Sequence, residues 1–285
     1  ISVCSGSAAS FSVTASGSAP ITYQWYNSSG AITGATNNTY AISSVQSSQA
    51  DGYYCIVTNS CASVQSSIKT LTVSTSPTIS QHPSSSSACT GQSVLFNIQA
   101  SGSSPLTYQW YKGAGTVISG ATSSSLLLSS VSSSDATTYY CKVSNGCGNL
   151  NSNTATLTVN SPVAISAQSS DTTKCTGESY TFFVTASGSS PISYQWYFAG
   201  SALNGATSSS YVLASINATH AGDYYCIISN TCNSVQSNTM SLTVSADAQI
   251  TAQSSSSTLC EGGNLNLTVS TSGTIASSTT PLEIG

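Results

Sequence analysis

The chain has 285 residues, 39% of them apolar and only 4% charged; four lysines, no arginine and eight acids leave a formal net charge of −4. Globular chains usually carry about 25% charge, so serine and threonine take over the surface here, and without a basic cluster nothing can grip nucleic-acid phosphates or an anionic membrane face. No apolar run reaches the roughly 18 residues that span a bilayer, and no leader pattern opens the chain, which reads as an internal or processed start.

The chain repeats itself. Its first unit opens on ISVCSGSAASFSVTASG, passes through YQWY at 23–26, and closes on YYCIVTNSC at 53–61 and LTV at 71–73. The second begins with TISQHPSSSSAC, a poor edge strand because Pro83 cannot sit in a central ladder. SVLFNIQA at 93–100 then alternates apolar and polar with the period of a half-buried strand. A SGSSP turn, LTYQWY, two short strands around Gly120 and a closing hairpin, DATTYYCKVSN and LNSNTATLTV, complete the unit. The third unit follows the same order, and a fourth starts near 245 but diverges after Gly273. The expected domains are 1–73 with its first strand missing, 74–159, 160–244, and an incomplete repeat at 245–285. Trp25, Trp110 and Trp196 stand 85 and 86 residues apart. That step is too long for a solenoid and suits a small all-β sandwich of about seven short strands.

Ten cysteines keep the same step, with no Cys-x-x-Cys pair and only His82 and His220 as nitrogen ligands. This argues for disulfides rather than zinc and for an oxidising location, secreted or at a cell surface. The eight acids are too scattered for a calcium cage, and no carboxylate pair, nucleophile–base grouping or phosphate loop recurs with the period, so no catalytic residue and no cofactor is expected.

Four features carry a resemblance: Val-x-Ala-x-Gly at 13–17 and 184–188, with Ile98 leading the second copy; a tryptophan twelve residues after its first position; Asp-x-x-x-Tyr-x-Cys at 135–141; and the terminal Leu-Thr-Val. Together they resemble I-set immunoglobulin repeats over about 245 residues, and are similar in particular to the Ser/Thr-rich tandem repeats of large secreted proteins of the Bacteroidota. The resemblance implies tandem immunoglobulin-like β-sandwiches arranged as beads, with Trp25, Trp110 and Trp196 in the cores and Tyr53, Tyr139 and Tyr224 as tyrosine corners. Two positions depart from it. Gln49 and His220 stand where the first and third units should carry the Asp, and the second-strand cysteine is absent throughout, its place taken by Val13, Ile98 and Val184.

Side chains alternate across a strand. With Trp and the sixth-strand cysteine inside, Tyr26 with Tyr54, Tyr111 with Tyr140, and Tyr197 with Tyr225 form outward pairs. They either stabilise an exposed sheet face or offer a periodic contact face to glycans or neighbouring filaments. Asn27, Asn37, Asn217 and Asn266 head N-glycan patterns, and Thr172 in Asp-Thr-Thr resembles an O-glycan acceptor.

The cysteines leave three pairings open. A tie from Cys4 to Cys55 has an ordinary separation, but Cys4 lies 21 residues before Trp25, in the turn entering the second strand and about 16 Å along that strand from the site facing Cys55. A hairpin bridge from Cys55 to Cys61 is the second. The third follows from the immunoglobulin resemblance, which puts Cys61 at the tip of the last hairpin and Cys4 at the opposite end of a bead. On that reading disulfides run between beads, Cys4 to Cys147 and Cys89 to Cys232, with Cys61 and Cys175 awaiting partners and Cys55, Cys141 and Cys226 as buried thiols. Beads so built would rely on packing alone for internal stability. The expected role is a structural and adhesive extracellular stalk of a bacterial surface protein, part of a longer array, whose partners are further repeats of its own chain. The rivals are glycan-binding or spacer modules of a secreted hydrolase and a filament subunit assembled by strand donation.

Overall fold

The computed structural model of the chain describes residues 1–246, 248–253, 255 and 268–272. It divides into two compact units, Ile1–Val159 and Asn160–Gly285. The first unit contains two β-sandwiches, and the second contains one followed by a further antiparallel pair of strands.

The second repeat makes its sandwich from simple alternation. Val94–Asn97 turns Val94 and Phe96 inward and Leu95 and Asn97 outward, and pairs antiparallel with Ser125–Leu128. The opposite sheet holds Thr107–Lys112, Thr138–Asn145 and Ala155–Asn160, with Trp110 in register with Cys141 and Tyr111 with Tyr140. The segment read from sequence as one poor edge strand is in fact two. Thr78–Gln81 pairs with Gln99–Ser101 in one sheet, and Ser86–Cys89 joins Ala155–Asn160 in the other. Pro83 lies between them, where a residue without an N–H interrupts one ladder and the chain crosses to the other sheet.

In the first repeat, Ser2–Cys4 supplies the second of these edge strands, parallel to Thr72–Ser74. The expectation of a missing first strand therefore narrows to the counterpart of Thr78–Gln81, and Ala9–Ser12 pairs with Thr39–Ile42 alone. Cys4 closes a strand, just before the turn to which the sequence assigns it. The third repeat follows the second, with Ala164–Gln168, Tyr180–Ser187 and Ser210–Leu213 in one sheet. After it, Gln249–Gln253 pairs with Val269–Ser272 through the same register shift that the second and third repeats place at Ile79/Gln81 and Ile165/Ala167. The last strands of the three sandwiches end at Ser74, Asn160 and Ser245, one residue past the expected boundaries. Cys260 and the Asn266 pattern lie outside the described residues.

Each sandwich has its own core built around three rings. Phe11 stacks on Tyr53, Phe96 on Tyr139 and Phe182 on Tyr224, with centroids 4.8, 5.1 and 4.4 Å apart, and the tryptophan lies about one ring further along. The indole N–H of Trp25, Trp110 and Trp196 donates to the carbonyls of Asn37, Ser123 and Ser208 at 2.9, 3.0 and 2.9 Å. A buried indole with its one polar atom satisfied is a core residue, with no face left for a sugar.

The tyrosine hydroxyls fix the turn before the sixth strand. Tyr53, Tyr139 and Tyr224 each donate at 2.9 Å to a carbonyl four residues back, on Gln49, Asp135 and His220. Those three residues end single-turn 3-10 helices, and their side chains accept the backbone N–H of Gln46, Ser132 and Asn217 at 2.7, 2.9 and 3.0 Å. The departures at Gln49 and His220 are therefore equivalent in chemistry. The position needs an acceptor that reaches the cap, and a carboxylate, an amide oxygen or an imidazole nitrogen supplies one.

At Asp135 the Ser132 backbone N–H, and after it the Ser132 hydroxyl, hold the carboxyl below its ordinary value. A group depressed in the folded state contributes stability above its unfolded pKa of about 4, and that stability is lost as pH falls through the folded value. Asp135→Ala should cost about 1 kcal/mol at neutral pH, a deficit that shrinks below about pH 4 in denaturation curves. An undiminished deficit in acid would contradict the assignment. His220→Asp should leave the third repeat's stability nearly unchanged.

Candidate functional site

The chemistry concentrates at the joint between the two sandwiches of the first unit. Cys4, ending a strand of the first, and Cys147, at the tip of the last hairpin of the second, form a disulfide with S–S 2.05 Å and Cα–Cα 5.5 Å across a sequence separation of 143. The tip is organised by Asn145, the last residue of Thr138–Asn145. Its Oδ1 accepts the Cys147 N–H at 2.9 Å, and its Nδ2 donates to the carbonyls of Thr75 at 2.8 Å and Ser103 at 2.9 Å. The Ser76 hydroxyl donates to the Cys147 carbonyl at 3.1 Å, and the Thr75 N–H donates to Ser103 Oγ at 2.8 Å. On the other side the Ser5 N–H donates to the Ser74 carbonyl at 2.7 Å. Residues 74–76, formally a linker, are thus held by both sandwiches.

Because Cys4 is in register with Ser74, the strap joins the two ends of whichever sandwich unfolds while the other stays folded. Closing a loop of roughly 70 residues is worth about 4 kcal/mol in the chain-entropy account. The expectation that the beads depend on packing alone is corrected on that ground: a bond placed between modules also restrains the unfolded state of each.

The other cysteines fall into the same positional classes. Cys61 and Cys175 are exposed free thiols, whereas Cys55, Cys141 and Cys226 are buried free thiols. Neither Cys4–Cys55 nor Cys55–Cys61 is bonded. Cys232 occupies the place of Cys147, its N–H donating to Asn230 Oδ1 at 2.9 Å while Asn230 Nδ2 donates to the carbonyls of Ser161 and Ser189 at 2.8 and 3.0 Å. Cys89 closes the strand Ser86–Cys89, as Cys175 closes Thr172–Cys175. Burial raises the pKa of all three inner thiols, to about 11 for Cys141 and Cys226.

Sequence reasoning missed two supporting positions. The backbone N–H of Cys55, Cys141 and Cys226 donates to the hydroxyl of Ser66, Ser152 and Ser237 at 3.0, 3.0 and 2.9 Å, which covers the break in each final hairpin. Each serine stands eleven residues after its cysteine, a signal hidden by the abundance of serine. Gln24, Gln109 and Gln195 of the Tyr-Gln-Trp-Tyr phrases donate across to the carbonyls of Ile32, Ile118 and Leu203 at 2.7, 2.8 and 2.8 Å, pinning the neighbouring turn.

The tyrosine pairs Tyr26–Tyr54, Tyr111–Tyr140 and Tyr197–Tyr225 lie in register and stack almost parallel, with centroids 5.2, 5.0 and 4.9 Å apart. Each ring is half-buried by its partner rather than fully exposed, and such a pair contributes roughly 0.2 to 1 kcal/mol. Thr172 is half-buried in a strand parallel to Met240–Ser245, and the neighbouring Asp171 accepts the Ser241 N–H. No group of three or more His, Cys, Asp or Glu able to hold a metal occurs among the described residues.

An immunoglobulin-domain family model matches residues 76–145 and 162–230. Among solved structures, an I-band fragment of titin, I67-I69, is 19% identical with a TM-score of 0.70, covering 86% of this chain and 95% of its own. A mutated variant of the same three titin domains gives 0.69 at 19% identity, covering 85% and 94%. Extracellular domains 3-5 of Drosophila OTK give 0.47 at 16% identity, covering 85% and 93%. The chain is an all-β array of tandem immunoglobulin-like sandwiches. Its disulfide fits an extracellular or secreted setting.

Alkylation of the folded 285-residue chain by itself at mild alkaline pH should label Cys61 and Cys175 quickly, and Cys55, Cys141 and Cys226 only after denaturation. Peptide mapping checks this, and rapid native labelling of Cys141 or Cys226 would contradict it.

Proposed function

We propose that the chain is a section of a structural and adhesive stalk of a bacterial surface protein, in which immunoglobulin-like modules are strapped at their joints by disulfides. The observation that carries this reading is the joint itself. A covalent bond and hydrogen bonds from both sides hold a linker that would otherwise act as a hinge, since contacts between domains of one chain normally permit relative motion. By repetition Cys89 pairs with Cys232, and Cys61 and Cys175 take equivalent partners in further modules. The bacterial source rests on the resemblance of the repeat motifs alone. The sparse charge makes surface contacts insensitive to salt, and the stacked tyrosine pairs offer a recurring apolar face to glycans or neighbouring stalks. No catalytic step is assigned to any residue.

Spin labels placed one in each sandwich of the first unit should give a narrow distance distribution by electron resonance. Cys147→Ser should broaden it and lower the stability of these sandwiches by about 4 kcal/mol. An equally narrow distribution in the variant would argue against a mechanical role for the strap.

A further inference from the structure

The Cys4–Cys147 bond closes residues 5–146, which hold nearly all of the first two sandwiches, into one covalent loop. A pull along the backbone that reaches Cys4 passes through sulfur to Cys147 and leaves along the residues that follow. Nothing inside the loop has to stretch, because a covalent bond spans it. Of the elements described for these two sandwiches, Ser2–Cys4, Gly148–Asn151 and Ala155–Asn160 are the ones left in the line of tension.

The stretch after Cys147 is anchored from several sides. Gly148–Asn151 pairs antiparallel with Thr138–Asn145, and Ala155–Asn160 lies between Thr138–Asn145 and Ser86–Cys89. Ala155 and Leu157 are buried in the core, and the Leu157 N–H donates to the Thr137 carbonyl at 2.8 Å. Two side chains from the start of the same sandwich hold its backbone besides. The Asn153 N–H donates to His82 Nδ1 at 3.1 Å and the Thr156 N–H to Ser85 Oγ at 2.9 Å. The third repeat has both staples in the same places: Gln168 accepts from the Asn238 N–H at 3.1 Å, and Asp171 from the Ser241 N–H at 2.9 Å. The acceptors differ in kind between the repeats, so what recurs is the attachment of the closing segment and not a particular side chain.

We propose that the strap is an extension limiter: under tension it shunts load past residues 5–146, and the stapled segment 148–160 is the element that bears it. Its use as such rests on the stalk reading, in which the chain is pulled from both ends. The two sandwiches then need only enough stability to stay folded at rest, since their resistance to pulling is not called on. The strap also sets a length. Between Ile1 and residue 161 only roughly 17 residues can be drawn out while the bond holds, about 60 Å at full extension, against about 540 Å once it is opened.

The test stretches the full chain in optical tweezers, with one handle on the N-terminus and the other on an azide-bearing side chain introduced at position 161. The unreduced chain should reach no more than about 60 Å between the handles, and the same chain after addition of a dithiol reductant, or carrying Cys147→Ser, about ninefold more. His82→Ala and Ser85→Ala should lower the force at which the unreduced chain gives its short extension. Ile42→Val, a small cavity in the shielded first core, should leave that force unchanged and lower the unfolding force only after reduction. The proposal is overturned if the unreduced chain reaches several hundred ångström, or if reduction leaves its reach unaltered. A yield force in the unreduced chain that falls with Ile42→Val, or that neither staple variant alters, would also overturn it. The length limit and the stalk reading fail separately, because the reach is measured whatever the chain is attached to in its native setting.

Discussion

A disulfide restrains a chain only where its two ends can meet, and in the first unit they meet at a joint rather than through a core. Most of the arrangement depends on that displacement. With Val13, Ile98 and Val184 where the second-strand cysteine would sit, the sixth-strand cysteine is left as a small buried hydrophobe. Inside each sandwich no covalent tie then remains, and apolar packing, ring stacking and hydrogen bonds from the indole, tyrosine, serine and glutamine side chains hold the interior. The covalent restraint reappears between Cys4 and Cys147, where it restrains the unfolded chain and the linker at once.

The polar positions follow a consistent logic in a chain with almost no charge. Where other proteins would use ion pairs, serine, asparagine and glutamine close the backbone accounts: Ser152 and Ser237 inside the final hairpins, Gln109 and Gln195 on the adjoining turn, and Asn145 and Asn230 at the tips. The single salt bridge among the described residues, Lys174 with Glu178 at 4.0 Å, lies on the surface, where such pairs add little. No buried side-chain nitrogen or oxygen among the described residues lacks a partner. Uncharged groups achieve this without the desolvation that burying ions would cost.

The sandwich was legible in the sequence because its signals are periodic and apolar. Val94 and Phe96 alternate with Leu95 and Asn97, and the three Tyr-Gln-Trp-Tyr phrases fix both spacing and register. The crossing at Pro83 was half legible: the proline signalled an edge, but that the chain changes sheets there depends on hydrogen-bond partners far along the sequence. The cap at Gln49 and His220 was not legible, because the resemblance compares residue identity where only an acceptor is required. The serines behind Cys55, Cys141 and Cys226 were illegible for the opposite reason, since in a serine-rich chain no single serine stands out.

The pairing of Cys4 is the point on which the account turns, and digestion without reduction followed by mass spectrometry measures it directly. The account predicts a cross-linked peptide containing Cys4 and Cys147, with Cys55 and Cys141 recovered as thiols. A peptide joining Cys4 to Cys55 would return the bond to the interior of a single sandwich and contradict it.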